Sequence, residues 1–259
     1  MTAYEAVILD VDGTIVRGES LLPGAIDGLD ALEAAGCSRL LFSNNPTRGA
    51  DHYREQLSPH GIDVDPGAVL TSATVSAEYL AATHPDEQVF LVGEGRLEAI
   101  LADAAVELTS DPDAAAVVLG SFDRTFSFDT LWESLRALEG ATPFYGTDPD
   151  ATIPIDEGEI PGTGAILAAM EAVAGRKPDA ILGKPSPIAA AAAMDRLDAA
   201  PAKTLVVGDR LSTDIALGNR AGMETALVLT GVTDRETLTA ADIEPDHVLE
   251  SLGAVETLL

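Results

Sequence analysis

Short apolar runs alternate with longer amphipathic segments along most of this chain. The first run, Ala6–Leu9 (AVIL), has the β-branched content of a buried strand. It delivers Asp10 and Asp12 into an Asp-Gly turn completed by Gly13 and Thr14. From Pro23 to Ala35, the residues Ile26, Leu29, Leu32 and Ala35 fall at helical intervals, with proline at the start and Gly36 at the end. A second run, Leu40–Phe42, ends in Ser43, Asn44 and Asn45, and a helix is predicted over roughly 48–57. A short strand at 69–71 and a helix at 73–83 follow.

His84-Pro85-Asp86 reads as a hinge, after which the rhythm restarts. Strands are predicted at 89–92, 116–120 and 143–145, with helices at 97–104, 128–139 and, after the Pro161-Gly162 turn, 164–174. Trp132, within FDTLWESLRAL, is expected in the packed core of the second of these helices. Strands expected to rejoin the opening sheet lie at 180–182, 204–207 and 225–229, with a last one at 247–249 before a short terminal helix. Strands alternating with helices predict an α/β fold with a mostly parallel sheet, interrupted by a second α/β unit of about a hundred residues.

Polar groups recur where these strands end. Ser43 closes LLF; Lys184 follows AILG and precedes Pro185, which favours an extended backbone at the lysine; Asp209 follows TLVVG, with Asp214 five residues on. In open α/β sheets, ligands bind outside the carboxyl ends of the strands. Taken alone, Asp10 and Asp12 fit a hydrophilic turn as well as a catalytic pair. Hydroxyl, ammonium and carboxylates at four such ends weigh towards catalysis. Several carboxylates in one crevice repel one another unless a cation lies among them, and an oxygen-rich site with room for phosphate suits Mg²⁺. Lys184 and the Ser43 hydroxyl would orient phosphoryl oxygens, and one carboxylate could attack phosphorus.

In order, DxDGT (Asp10–Thr14), SNN (Ser43–Asn45), GKP (Gly183–Pro185) and GDxxxTD (Gly208–Asp214) resemble the four motifs of the haloacid dehalogenase-like phosphatases. TDPDATIP, PGTGAILAAMEAVAGRKP and GDRLSTDI are similar to the branch holding p-nitrophenyl phosphatase, phosphoglycolate phosphatase and ribonucleotide monophosphatase-like proteins. The resemblance implies a Rossmann-like parallel-sheet core, residues 1–83 and 179–259, with an inserted α/β cap at 84–178. It implies a Mg²⁺-dependent phosphatase of small phosphate monoesters. In it Asp10 resembles the nucleophile and Asp12 the general acid/base. The Asp10 side chain, the Asp12 main-chain carbonyl and Asp209 resemble metal ligands, and Asp214 either a ligand through water or a neighbouring acid. Ser43, Asn44 and Lys184 stand as phosphate-binding residues, although Asn44 and Asn45 fit turn stabilisation equally well. Ser43 replaces a common threonine, and Asp148 stands where the TNPD pattern carries asparagine, which either alters substrate contact or belongs to a general acidification. The resemblance also admits a homodimer through the cap.

Composition narrows the picture further. Lys+Arg total 15 against 43 Asp+Glu, a net charge of −28, so nucleic acid and anionic membranes are poor partners. Acids spread along the whole chain suggest a very salty interior, where counterions screen self-repulsion. The one cysteine, Cys37, fits a buried small apolar residue and a reducing cytoplasm, and the opening strand leaves no room for a signal peptide. No apolar run nears the ~18 residues that cross a bilayer. Gly93-Glu94-Gly95 lacks the third glycine of a dinucleotide loop, Ile153 replaces the turn glycine of an EF-hand within 148–159, and the four histidines lack ligand spacing. A signalling receiver domain shares a phosphorylated aspartate, acidic metal ligands, Ser/Thr and Lys, but is about half this length and has no inserted cap. A non-catalytic interaction protein on the same scaffold would not need all four motifs.

Overall fold

The computed structural model describes residues 4–155 and 158–259; Asp156 and Glu157 of the acidic run 148–159 lie outside the described residues. In chain order the elements are β1 (Ala6–Leu9), β2 (Val16–Arg17), β3 (Ser20–Leu21), α1 (Ala25–Ala34), β4 (Ser38–Ser43), α2 (Ala50–Leu57), β5 (Val69–Thr71) and α3 (Ser72–Thr83). Next come β6 (Val89–Val92), α4 (Gly95–Asp103), β7 (Leu108–Thr109), β8 (Val117–Gly120), α5 (Phe128–Ala137), β9 (Phe144–Gly146), β10 (Thr152–Ile155), β11 (Gly158–Pro161) and α6 (Thr163–Ala174). The chain finishes with β12 (Ala180–Ile181), α7 (Pro187–Met194), β13 (Thr204–Gly208), α8 (Ala216–Ala221), β14 (Glu224–Val228), α9 (Arg235–Ala240) and β15 (His247–Leu249).

Two compact units result. One comprises the chain up to Ser43 with Ala50–Leu70 and Ala189–Leu259; the other comprises Asn44–Gly49 and Thr71–Ile188. The first carries a six-stranded sheet in the order β15-β14-β13-β1-β4-β5. Its central strand, β1, pairs in parallel with β13 and β4, Leu9 lying level with Val207 and Leu41. All four residues of β1 are buried, as expected of a strand covered on both faces. Burying Ile8 and Leu9 completely stabilises by roughly 1.5–3 kcal/mol each. Val7, Leu9, Leu41, Val207 and Val228 join Leu29 and Leu32 of α1 in one apolar core. Cys37 belongs to it, and burial pushes its thiol pKa up, so the cysteine is the small buried residue that its context suggests.

The second unit has a five-stranded parallel sheet, order β12-β9-β8-β6-β7, whose core is Phe90, Val118, Phe144, Leu167 and Met170 with their neighbours. Here two expectations need correcting. The strand at 180–182 was expected in the opening sheet; instead β12 pairs with β9, Ala180 against Tyr145. Hydrogen bonds on either side of the pair hold it there: the Phe144 N–H donates to the Asp179 carboxylate (2.8 Å), and Leu182 N–H donates to the Gly146 carbonyl (2.8 Å). Trp132 is not core either. It is 56% exposed, in a stripe with Phe128 and Leu135, because α5 turns Ser134 and Ala137 inward. The Arg136 guanidinium lies over its ring.

Two hairpins, β2–β3 and β10–β11, add antiparallel ribbons. Among the described residues, no helix is long and apolar enough to cross a membrane.

Candidate active site

The backbone ladder of β1 continues one residue beyond the strand, Asp10 N–H donating to the Val207 carbonyl (2.9 Å). This places the Asp10 carboxylate just past the sheet's carboxyl edge, nearly buried. The chain then folds into a tight turn in which Ile15 and Val16 N–H both donate to the Val11 carbonyl, and Gly13 N–H to that of Val16. Gly13 takes φ +94°, a region that favours glycine, and a Cβ there would lie 2.4 Å from an Asp209 carboxylate oxygen. Thr14, buried by the same turn, donates its hydroxyl towards Asp10 (3.5 Å).

From the neighbouring strand, β13, Asp209 arrives at the same edge. Its carboxylate accepts the Val232 N–H (2.6 Å) and its carbonyl the Thr233 N–H (3.2 Å). A Cβ at Gly231 would fall 1.8 Å from an Asp209 oxygen, so only a residue without a side chain lets that loop close over the acid. A π-helical turn, Leu211–Ile215, brings Asp214 back, and its carboxylate accepts the Arg210 N–H (3.1 Å). Gly208 is required here too, since a Cβ would meet the Asp214 carboxyl carbon at 2.3 Å.

Asp10, Asp209 and Asp214 thus converge, one oxygen from each lying within 4.8 Å of the others, all three buried. The donors are carboxylate oxygens alone, with neither sulfur nor imidazole, and the glycines let the backbone approach them closely. That donor set fits a hard divalent cation rather than a softer transition metal. Asp12 is exposed and lies outside this trio. Ser43, at the end of β4 in the same unit, is buried and its hydroxyl accepts from Tyr53 (2.8 Å). Spacing gave no sign of Tyr53 or Gly231; the aromatic at 53 looks like any core residue of an amphipathic helix.

In the second unit, Lys184 and Asn44 come together. Lys184 N–H donates to Asn44 Oδ1 (2.8 Å) and Asn44 Nδ2 donates to the Lys184 carbonyl (3.0 Å). The lysine is 2% exposed. Nearby, Asp148 is fully buried. Burial first, and the Asp150 charge second, push its carboxyl up to about 7.

A family model described as haloacid dehalogenase-like hydrolase matches residues 7–107, and a HAD-hydrolase-like model matches 181–255. The chain is 32% identical over 253 residues to an acid sugar phosphatase of Staphylococcus epidermidis, covering 98% of this chain and 97% of that one. Among solved structures it is similar to a p-nitrophenyl phosphatase from Archaeoglobus fulgidus, with TM-score 0.93, 33% identity and 99% of both chains covered. NagD from E. coli K-12 is also similar, with TM-score 0.85, 30% identity and 98% of both chains covered.

Proposed function

Because the chain belongs to the haloacid dehalogenase-like hydrolases and is a phosphatase of small phosphate esters, we propose that it works through a phosphorylated Asp10. The observation that carries this reading is the buried trio of Asp10 and Asp209, which follow adjacent strands, and Asp214 from the turn beyond. An Asp10 carboxylate oxygen attacks phosphorus while the bond to the ester oxygen breaks, and Asp12 gives its proton to the leaving alcohol. Asp12, now a carboxylate, takes a proton from water. That water attacks the phosphorus, the bond to Asp10 breaks, and inorganic phosphate leaves with both aspartates restored. Its exposure suits Asp12 to this exchange. Ser43 and Lys184 orient the phosphoryl oxygens.

Asp10, Asp209, Asp214 and the Asp12 main-chain carbonyl would hold Mg²⁺. When bound, the ion offsets the charge of the carboxylates and the phosphoryl group.

The substrate class we assign is a sugar or aryl phosphate bearing one phosphoryl group. Relatives named acid sugar phosphatase and p-nitrophenyl phosphatase support it, and the net charge of −28 weighs against polyanions. Residues 84–178 act as the cap that selects the leaving group. Two copies pair through that cap, a reading supported by the exposed Phe128, Trp132 and Leu135. A reducing cytoplasm is the assigned setting, on the single buried cysteine.

Asp10→Asn should lower turnover of p-nitrophenyl phosphate by at least roughly a thousandfold while leaving the circular dichroism spectrum unchanged. EDTA should silence the wild type and added Mg²⁺ revive it. Turnover by Asp10→Asn within a few-fold of wild type would sink the nucleophile assignment.

A further inference from the structure

Asn44 stands in a motif whose residues are expected to touch phosphate, yet its side-chain amide is fully occupied elsewhere. Oδ1 accepts the Lys184 N–H (2.8 Å); Nδ2 donates to the Lys184 carbonyl (3.0 Å) and to the Asp150 carboxylate (3.4 Å). These partners fix the amide's orientation, since a main-chain N–H only donates and a carbonyl or carboxylate only accepts. An amide nitrogen carries two protons, and both are committed. Phosphate oxygens need donors. Asn44 could supply one only by releasing the lysine or Asp150.

The amide grips both main-chain groups of Lys184, as a neighbouring strand would. The approach is close: a Cβ on Gly183 would fall 2.8 Å from Asn44 Oδ1 and 2.6 Å from the Thr147 carbonyl. Thr147 adds to the hold, since its carbonyl accepts the Gly183 N–H (2.7 Å).

Asp150 is itself fixed. Its N–H donates to the Asp148 carboxyl (3.2 Å), and its carbonyl accepts the Gly164 N–H (2.8 Å) at the start of α6. A Cβ on Gly162 would lie 2.4 Å from that carbonyl. Asp148 receives the Thr147 hydroxyl (3.0 Å), which in turn meets the Ser121 hydroxyl (2.9 Å). The turn is therefore rigid, and it presents the Asp150 carboxylate to Asn44.

We propose that Asn44 and Asp150 are positioning residues for Lys184: the Asp150 carboxylate orients the Asn44 amide, which clamps the lysine's main chain. This rests on the assignment of Lys184 to phosphate made above, and it replaces phosphate contact as the job of the Asn44 side chain.

Two readouts test it in the full-length protein: inhibition of p-nitrophenyl phosphate hydrolysis by inorganic phosphate, and hydrogen exchange at the Lys184 main-chain amide followed by NMR. Asp150→Ala should weaken phosphate inhibition and raise KM roughly five- to tenfold, with a smaller change in kcat, and speed exchange at Lys184 by roughly tenfold. Asp150→Asn keeps an acceptor for Asn44 and should recover most of both. In an Asn44→Ala background, Asp150→Ala should add nothing. Asn44→Asp has the same shape but only acceptors, so it should lose the clamp even if the alanine variant does not fold. Unchanged exchange at Lys184 in Asp150→Ala, or effects of the two alanine variants that multiply, would overturn the proposal. A wild type without phosphatase activity would refute the functional reading instead, and the exchange measurement would still decide the clamp.

Discussion

Two groups of clustered acids in this molecule face the same repulsion and resolve it differently. Asp10, Asp209 and Asp214 come from the ends of two neighbouring strands and the turn that follows, and bring one oxygen each within 4.8 Å of the others. Asp148 and Asp150 share one turn, and their neighbours are hydroxyls, main-chain N–H groups and an amide. The first arrangement asks for a divalent cation. In the second, Asp148 keeps its proton near neutral pH, and the remaining charge on Asp150 meets the Asn44 amide. Clustered carboxylates do not by themselves mark a metal site. What separates the two is that three carboxylates from distinct chain segments bring oxygens together in one place, whereas in the pair one carboxyl keeps its proton.

The largest effect that would break this comparison lies at Asp209. Asp209→Asn should cut turnover by roughly a hundredfold or more and abolish the Tm increase that Mg²⁺ gives the wild type, as seen by calorimetry with and without the ion. A variant that Mg²⁺ still stabilises fully would place the ion elsewhere.

Asp148 offers a smaller effect with a definite sign. Folding lifts its carboxyl from 3.8 to about 7, so the folded chain holds a proton that the unfolded chain has released, and stability is lost as pH rises from about 4 through 7. Asp148→Asn keeps an acceptor for the Asp150 N–H and removes that loss. Its Tm at pH 8 should exceed the wild type's by roughly 2–4 °C or more, with little difference at pH 4. Equal melting temperatures at pH 8 would mean that folding does not raise the Asp148 carboxyl.

The smallest expected difference is none. Raising KCl from low to multimolar should raise the Tm of a chain with net charge −28, and by the same increment in Asp148→Asn, because buried charges are screened far less than exposed ones. Unequal increments would show that the Asp148 turn is open to salt. A Tm that did not rise at all would remove the case for a salty interior.

The first sheet was legible because its strands are buried on both faces and read as unbroken apolar runs, AVIL and TLVVG among them. Asp10 and Asp209 stood out for a related reason: each follows such a run directly. β12 was placed in the wrong sheet because two residues carry no periodicity, and pairing with β9 is a long-range choice. Trp132 was misplaced because α5 has apolar residues on two sides, Leu131 and Ala137 inward, Phe128 and Leu135 outward. The Asn44 clamp was invisible for want of proximity. Its partners lie 106 and 140 residues along the chain.

The register of β1 against β13 turns the first sheet into a ruler. Parallel strands lie about 4.8 Å apart by backbone hydrogen bonding alone, and Leu9, just before Asp10, lies level with Val207, two residues before Asp209. The pairing of β1 with β13 therefore fixes where the chain segments carrying Asp10 and Asp209 leave the sheet. Tolerance to insertion is correspondingly uneven along the chain. One extra residue inside β1 would turn Asp10 to the opposite face of the sheet, whereas several added to a surface loop between strands would leave the measure intact.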